Sequence, residues 1–343
     1  MALAVTPPQR PMLARLEREL PRDGYLYEPK WDGFRCLAFC DGSDVDLRSR
    51  HDRPLARYFP ELAEALAALP RERFAVDGEI VVANDAGFDF AALMARLHPA
   101  ASRVQRLSRE TPAAFIAFDV LALDENDLRA RSFADRRRLL EELFDSAAPP
   151  LHLTPTTADA AIAASWLERF EGVVAKHEQL AYQPGKRAMV KVKRDRTVDC
   201  VVGGLRWLAD RPLPSSLLLG LYDGAGALHH VGVAASFAEP QRHELLRELG
   251  PLITPLAGHP WEHGFLLSGG PTGRLKGAAG RWTPEMDMEW TPLEPVRVAE
   301  VGYDQLDGDR FRHPARFRRW RPDRDPRSCT LDQLESTDSP PLP

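Results

Sequence analysis

The chain has 343 residues, 44% apolar and 28% charged, with a formal net charge of −5. That length suits roughly two domains with proper cores. The acidic balance excludes a chain coated in positive charge, although a local basic groove can still carry phosphate contacts. No apolar run is long enough to span a bilayer, and the N-terminus lacks the basic start and apolar stretch of a signal peptide. The four cysteines, Cys36, Cys40, Cys200 and Cys329, form no C-x-x-C pair, which argues against structural zinc and for a reduced, cytosolic setting.

Residues 1–24, rich in Pro and Arg, read as an N-terminal arm. Leu26 to Lys30 reads as a short strand, and Phe34 to Cys40 as a second, turned at Asp41-Gly42 and answered by Val45 to Arg48. Phe59 to Leu69 has helical spacing and stops at Pro70. Phe74 to Val82 is strand-like, Phe88 to Leu97 helical, and Phe115 to Leu123 strand-like. Arg136 to Phe144 and Ala158 to Phe170 read as helices, Gly172 to Lys176 and Met189 to Lys193 as strands. Hairpins with intervening helices predict an α+β domain with antiparallel sheets over 1–194. Beyond it, Val198 to Trp207, Ser216 to Tyr222, Leu228 to Val233 and Arg297 to Tyr303 are short strands with one helix near Gln241 to Leu249. This pattern predicts a small partly open barrel of OB-fold type over 195–330. Residues 331–343, rich in Ser, Asp and Pro, are expected to form a disordered tail.

Only six of the 45 basic residues are lysine. Arg stays protonated, whereas Lys can lose its proton and become a nucleophile. Lys30 sits in Glu28-Pro-Lys-Trp-Asp-Gly-Phe-Arg35, where a candidate nucleophile, carboxylates and a guanidinium fall within eight residues. Taken alone, Lys30 also reads as a surface lysine at a strand end. Alternation puts Lys191 and Lys193 on one strand face, a pairing that suits an anion or a solvated surface. Lys176 ends a strand that begins after Glu171. Glu79 lies between apolar flanks and points to water or into a pocket. Phe118 reads as core, or as a platform for a base. Lys186 and Lys276 read as exposed loop lysines.

Lys30-Trp-Asp-Gly-Phe-Arg35, Ser49-Arg50, Asp77-Gly-Glu79, Phe118-Asp119, Glu171-Gly-Val-Val-Ala-Lys176 and Lys191-Val-Lys193 together resemble the ordered motifs of the covalent nucleotidyltransferases. Within that superfamily the chain is most similar to compact ATP-dependent DNA ligases of the actinobacterial repair type. The resemblance implies an adenylation domain followed by an OB-fold domain. It implies that Lys30 takes AMP from ATP, with Asp32 beside it. Glu28 would meet the adenine amine and Phe118 would stack on the base. Arg35 and Arg50 would contact the phosphate and ribose region or the 5′-phosphate of the nick. Glu79 would bind ribose or metal, and Glu171 would hold metal. Lys176, Lys191 and Lys193 would surround the α-phosphate. Arg321-Pro-Asp323-Arg324 is similar to an R-x-D-K element that orients pyrophosphate, with Arg in place of Lys. The implied co-substrate is ATP with Mg²⁺ (or Mn²⁺), and the implied partner is nicked duplex DNA. A monomer in the cytoplasm, associated with the nucleoid, is expected, with a basic face of the second domain turned to DNA. RNA ligation, GTP-dependent capping and a catalytically dead nucleotide- or DNA-binding scaffold are the competing readings.

Overall fold

The computed structural model describes residues 3–84, 87–265, 289–334 and 342–343. The chain divides into two compact units, one up to residue 194 and one beginning at residue 195. Lys276 lies outside the described residues.

The first unit opens with β1 (Leu13–Glu17), β2 (Tyr25–Pro29), β3 (Phe34–Asp41) and β4 (Asp44–Ser49). Next come α1 (Pro60–Ala67), β5 (Arg73–Asn84), β6 (Gly87–Phe88), α2 (Phe90–Ala95), α3 (Ala101–Glu110), β7 (Ala113–Leu123) and β8 (Asn126–Asp127). It closes with α4 (Phe133–Phe144), β9 (Leu151–Leu153), α5 (Ala160–Arg169), β10 (Gly172–His177) and β11 (Arg187–Lys193). Helix starts follow capping chemistry. The Ser132 hydroxyl accepts from the Asp135 N–H, and the Asp159 carboxylate accepts from the Ala161 and Ile162 N–H groups. The Ser132 cap starts α4 three residues before the expected Arg136.

Two sheets result. One has the order β1-β11-β10-β2, and the other has the path β4-β3-β5-β7-β8, with β6 on β5 and β9 on β7. The sheets pair antiparallel except at β1 with β11 and at β7 with β9, which pair in parallel. Both parallel pairs join strands separated by long stretches of chain, so no hairpin fixes their direction. Strands β3, β5 and β7 are buried on both faces. Cys36, Ala38 and Cys40 of β3 join the core under α1 and α4, while Leu37 and Phe39 point to a second cluster with Met12, Tyr182 and Met189. That second cluster draws on both sheets and on the N-terminal arm.

The second unit contains β12 (Arg196–Trp207), β13 (Pro214–Tyr222), β14 (Leu228–Ala234), α6 (Glu239–Leu249), β15 (Thr291–Tyr303), β16 (Leu306–Asp307), β17 (Arg310–Phe311) and β18 (Arg316–Trp320). Its main sheet has the order β14-β13-β12-β15-β18. The expected tail carries structure at its start. Leu331–Gln333 forms a 3₁₀ turn, and Leu331 and Leu334 pack on the core of this unit. No described helix is long and apolar enough to cross a membrane.

Candidate active site

A cleft of about 600 Å³ lies in the first unit, within the size range of small-molecule sites. Eight of the expected site residues line it: Glu28, Lys30, Arg35, Arg50, Glu79, Phe118, Lys176 and Lys191. Strand register explains how one sheet contributes. Lys191 of β11 faces Val174 of β10, which faces Glu28 of β2. Lys193 faces Gly172, whose carbonyl accepts the Lys30 N–H at 2.9 Å. Side chains two residues apart share a face and stand about 6.6 Å apart along a strand. Lys30 and Lys193 therefore mark one end of the cleft face, with Glu28 and Lys191 one row further in.

Gly172 is required by this approach, because a Cβ there would collide with the Val192 carbonyl oxygen. Gly33 is required likewise, since a Cβ would strike the Ile80 backbone where the Lys30–Asp32 segment turns onto β5.

At the Lys30 end, Glu171 is shared between two cations. One carboxylate oxygen pairs with Lys30 Nζ, and the other lies 2.7 Å from Lys193 Nζ. Burial works to raise the Glu171 carboxyl, but the two lysines outweigh it and hold it below the usual range. Glu79 accepts the Gly33 N–H at 3.1 Å. Burial pushes its carboxyl up to about 7, against the pull of Lys30 and Arg35, with Asp32 and Glu171 adding to the rise. Among the described residues no group of three or more His, Cys, Asp or Glu side chains could hold a metal.

At the inner end, Glu28 is 2% exposed and lies 2.8 Å from Lys176 Nζ, which also donates to the Phe118 carbonyl at 2.7 Å. Burial raises the Glu28 carboxyl, partly countered by Lys176 and Arg137. Its Oε1 is buried without a hydrogen bond. Lys176 is 1% exposed, with its Nζ 5.1 Å from the centre of the Phe118 ring. Lys176, expected beside Lys191 and Lys193 at the α-phosphate, lines the same cleft as Lys191 but pairs with Glu28. Three residues of β10 separate Lys176 from Gly172, the position opposite Lys193, and its ammonium reaches Glu28 and the Phe118 carbonyl. Phe118 lines the cleft with the Arg35 guanidinium 4.3 Å above its ring.

Several supporting residues carry no signal of their own in the sequence. Arg35 makes a two-pronged ion pair with fully buried Asp77 at 2.5 and 2.6 Å. The Tyr182 hydroxyl donates to the same carboxylate at 2.6 Å and accepts from the Met12 N–H at 3.0 Å. Burial and Asp77 push the Tyr182 phenol well up, which keeps it a donor. Replacing Tyr182 by Phe leaves both partners one bond short. We expect a loss of about 1–3 kcal/mol, read by urea unfolding of the first unit. Trp31, next to Lys30, donates to Thr154 Oγ1 at 2.8 Å and meets Phe170, next to Glu171, edge-on at 5.1 Å. The nucleophile candidate and its carboxylate partner are thus held by neighbours that touch each other.

In the second unit, Arg321 Nη1 donates to both Asp199 carboxylate oxygens, at 3.0 and 3.1 Å, while its Nε and Nη2 donate to Asp323. Arg324 Nε lies 3.6 Å from the same Asp199. Arg316 pairs with Asp304, Arg318 with Asp195 and Arg319 with Glu300. Five of the eight arginines between residues 310 and 327 thus face a carboxylate.

Residues 11–193 match the family model for the ATP dependent DNA ligase domain, and residues 210–324 match that for the ATP dependent DNA ligase C terminal region. The chain is 50% identical to DNA ligase C2 of Mycolicibacterium smegmatis, covering 98% of this chain and 97% of that protein. It is 48% identical to DNA ligase C of Mycobacterium tuberculosis, covering 98% and 96%. Among solved structures, one from a study of DNA binding with a minimal scaffold in Lig E DNA ligases aligns with a TM-score of 0.54. It is 18% identical and covers 90% of this chain and 99% of that one, a likeness of fold alone. Both halves of the sequence, and the order of the residues around the cleft, agree: the chain belongs to the ATP-dependent DNA ligases.

Proposed function

We propose that the chain seals 3′-hydroxyl/5′-phosphate breaks in duplex DNA during repair, as a monomer, through a covalent Lys30–AMP intermediate. The observation that carries this reading is the placement of Lys30 at the mouth of a cleft with Glu28 and Phe118 further in. In the first step Lys30 Nζ forms a bond to the α-phosphorus of ATP as the bond to pyrophosphate breaks. The 5′-phosphate of the nick then takes AMP from Lys30, and the 3′-hydroxyl displaces AMP to close the strand. Dividing one joining into phosphoryl-type transfers is the gain from covalent catalysis.

Glu79 and Glu171 would hold Mg²⁺, which neutralises charge on the phosphates when bound. Lys191 and Lys193 would stabilise the charge that builds as pyrophosphate leaves. Lys30 must leave its ion pair with Glu171 to attack, and Lys193 stands ready to keep that carboxylate neutralised. Arg35 and Arg50 would grip phosphate or ribose, Asp32 would orient Lys30, and Arg321 and Arg324 would guide pyrophosphate after release from Asp199. The second unit reads as an OB-type barrel. In support, Ala234 at the end of β14 bridges Ala315 just before β18, bringing the outer strands of the sheet together.

Incubation with α-labelled ATP and Mg²⁺ should give an acid-labile protein adduct, and a nicked DNA duplex should then be sealed. No adduct would overturn the enzyme reading, and an adduct from GTP alone would favour capping. Sealing of nicked RNA but not DNA would favour RNA ligation. The buried, unbonded Oε1 of Glu28 suits a donor such as the adenine amine. Replacing Glu28 by Gln introduces an amide that can donate to the guanine oxygen. We expect labelling to lose roughly tenfold of its preference for ATP over GTP, measured as the ratio of adduct rates.

A further inference from the structure

Exposed cations without a carboxylate partner occur at several places in this acidic chain, but at one place the fold gathers four of them beside a cleft. Arg10, Arg50, Lys186 and Arg187 are exposed, and among the described residues none makes an ion pair within 4.0 Å. The fold brings them together from three places. Gly185 N–H donates to the Pro11 carbonyl at 3.1 Å, Leu13 N–H donates to the Lys186 carbonyl at 2.8 Å, and Leu13 pairs with Arg187 across β1 and β11. A second cleft of about 580 Å³ opens here, lined by Arg10, Arg50, His51, Asp52 and Gly185. Its single lining carboxylate, Asp52, lies 4.0 Å from Arg48. Pro11, Leu13 and Arg50 line both clefts, so the second continues directly from the first.

We infer that this second cleft, with Arg10 and Lys186 on its rim, seats the sugar–phosphate backbone of the DNA strand whose 5′-phosphate enters the nucleotide cleft beside Arg50. The inference rests on the ligase reading above and deepens it. A row of unpaired cations is the ordinary means of holding a polyphosphate backbone without reading its sequence. The lining suits a backbone better than a second nucleotide. It offers prolines and cations, with no Phe, Tyr or Trp among its lining residues on which a base could stack. A strand that delivers its end to Lys30 must also run away from the first cleft, and the shared Arg50 marks where the two spaces join.

The test uses the full chain with Arg10→Gln and Lys186→Gln together, leaving the nucleotide-cleft residues untouched. Two readouts are needed: the rate and ATP dependence of adduct formation, and the affinity for a nicked duplex with a 3′-dideoxy end, titrated without ATP from 50 to 200 mM salt. Labelling should be unchanged. The slope of log affinity against log salt should shrink by about 1.8, and affinity near 150 mM salt should fall roughly tenfold or more. A charge-matched variant on α3, Arg103→Gln with Arg109→Gln, should leave the slope as it was. An unchanged slope in the first variant, an equal change in the α3 variant, or lost labelling with DNA affinity intact would each overturn the assignment. The last result would give the patch to the triphosphate instead. Failure of the unaltered chain to bind or seal nicked DNA would be a separate outcome, removing the ligase reading itself.

Discussion

Lys30→Arg is expected to abolish the labelled AMP adduct, by roughly four orders of magnitude or more, while the protein remains folded. A guanidinium stays protonated and offers no lone pair to the α-phosphorus. The fold should tolerate the change because Arg keeps the positive charge opposite Glu171 and the site is partly open, the Lys30 side chain being 24% exposed. Glu171 also keeps Lys193 at 2.7 Å. Thermal melting should therefore match that of the unaltered chain. One step survives: a nick that already carries AMP on its 5′-phosphate needs no lysine nucleophile, so Lys30→Arg should still close it. Retained labelling would refute Lys30 as the nucleophile. Loss of labelling together with loss of that last step would mean that the substitution had damaged the site as a whole.

That Lys30, Glu79 and Phe118 gather around one cleft was legible because each sits in a short motif whose neighbours limit what it can do. Depth in the cleft was not legible. Alternation puts Lys191 and Lys193 on one face, and Lys176 looks like a third member. Only the fold shows that Lys176 sits opposite Leu26 and reaches Glu28 with its ammonium at 2.8 Å. Partnerships over long separations were equally hidden. Trp31 and Thr154 are 123 residues apart, and Asp77 and Tyr182 are 105 apart. No local period connects them. Strand β1 was missed because its exposed, charged residues show no buried alternation, and α3 because it buries only Val104. The partners of the arginine-rich end are hidden for a related reason. A charge run is visible in one segment, but Asp199 on β12 and Glu300 on β15 reach it only in the folded sheet.

The second large effect is expected at Asp119, one residue beyond Phe118. Asp119 is 1% exposed and accepts two bonds from Arg136 at 2.7 and 3.0 Å, with Lys176 Nζ at 3.9 Å. Arg136 is fully buried and spends its remaining reach on the Arg131 and Leu180 carbonyls. Asp119→Ala would leave Arg136 buried without its counter-charge and remove one of two carboxylates near Lys176. Breaking such a pair from one side costs about 3–5 kcal/mol. The first unit should melt on the order of 10 °C lower, followed by calorimetry. Replacing both partners, Asp119→Leu with Arg136→Met, should recover much of that loss, because two buried charges leave together. Nucleotide labelling separates the two roles of the cluster. The double variant still lacks the carboxylate near Lys176, so its dependence on ATP concentration should stay weakened even where stability returns. If stability and ATP dependence recover together, the cluster supports the fold alone. If ATP dependence stays weak, Asp119 helps to hold Lys176 against Glu28 and the Phe118 carbonyl, and the buried charges under the proposed base-binding end serve recognition as well as folding.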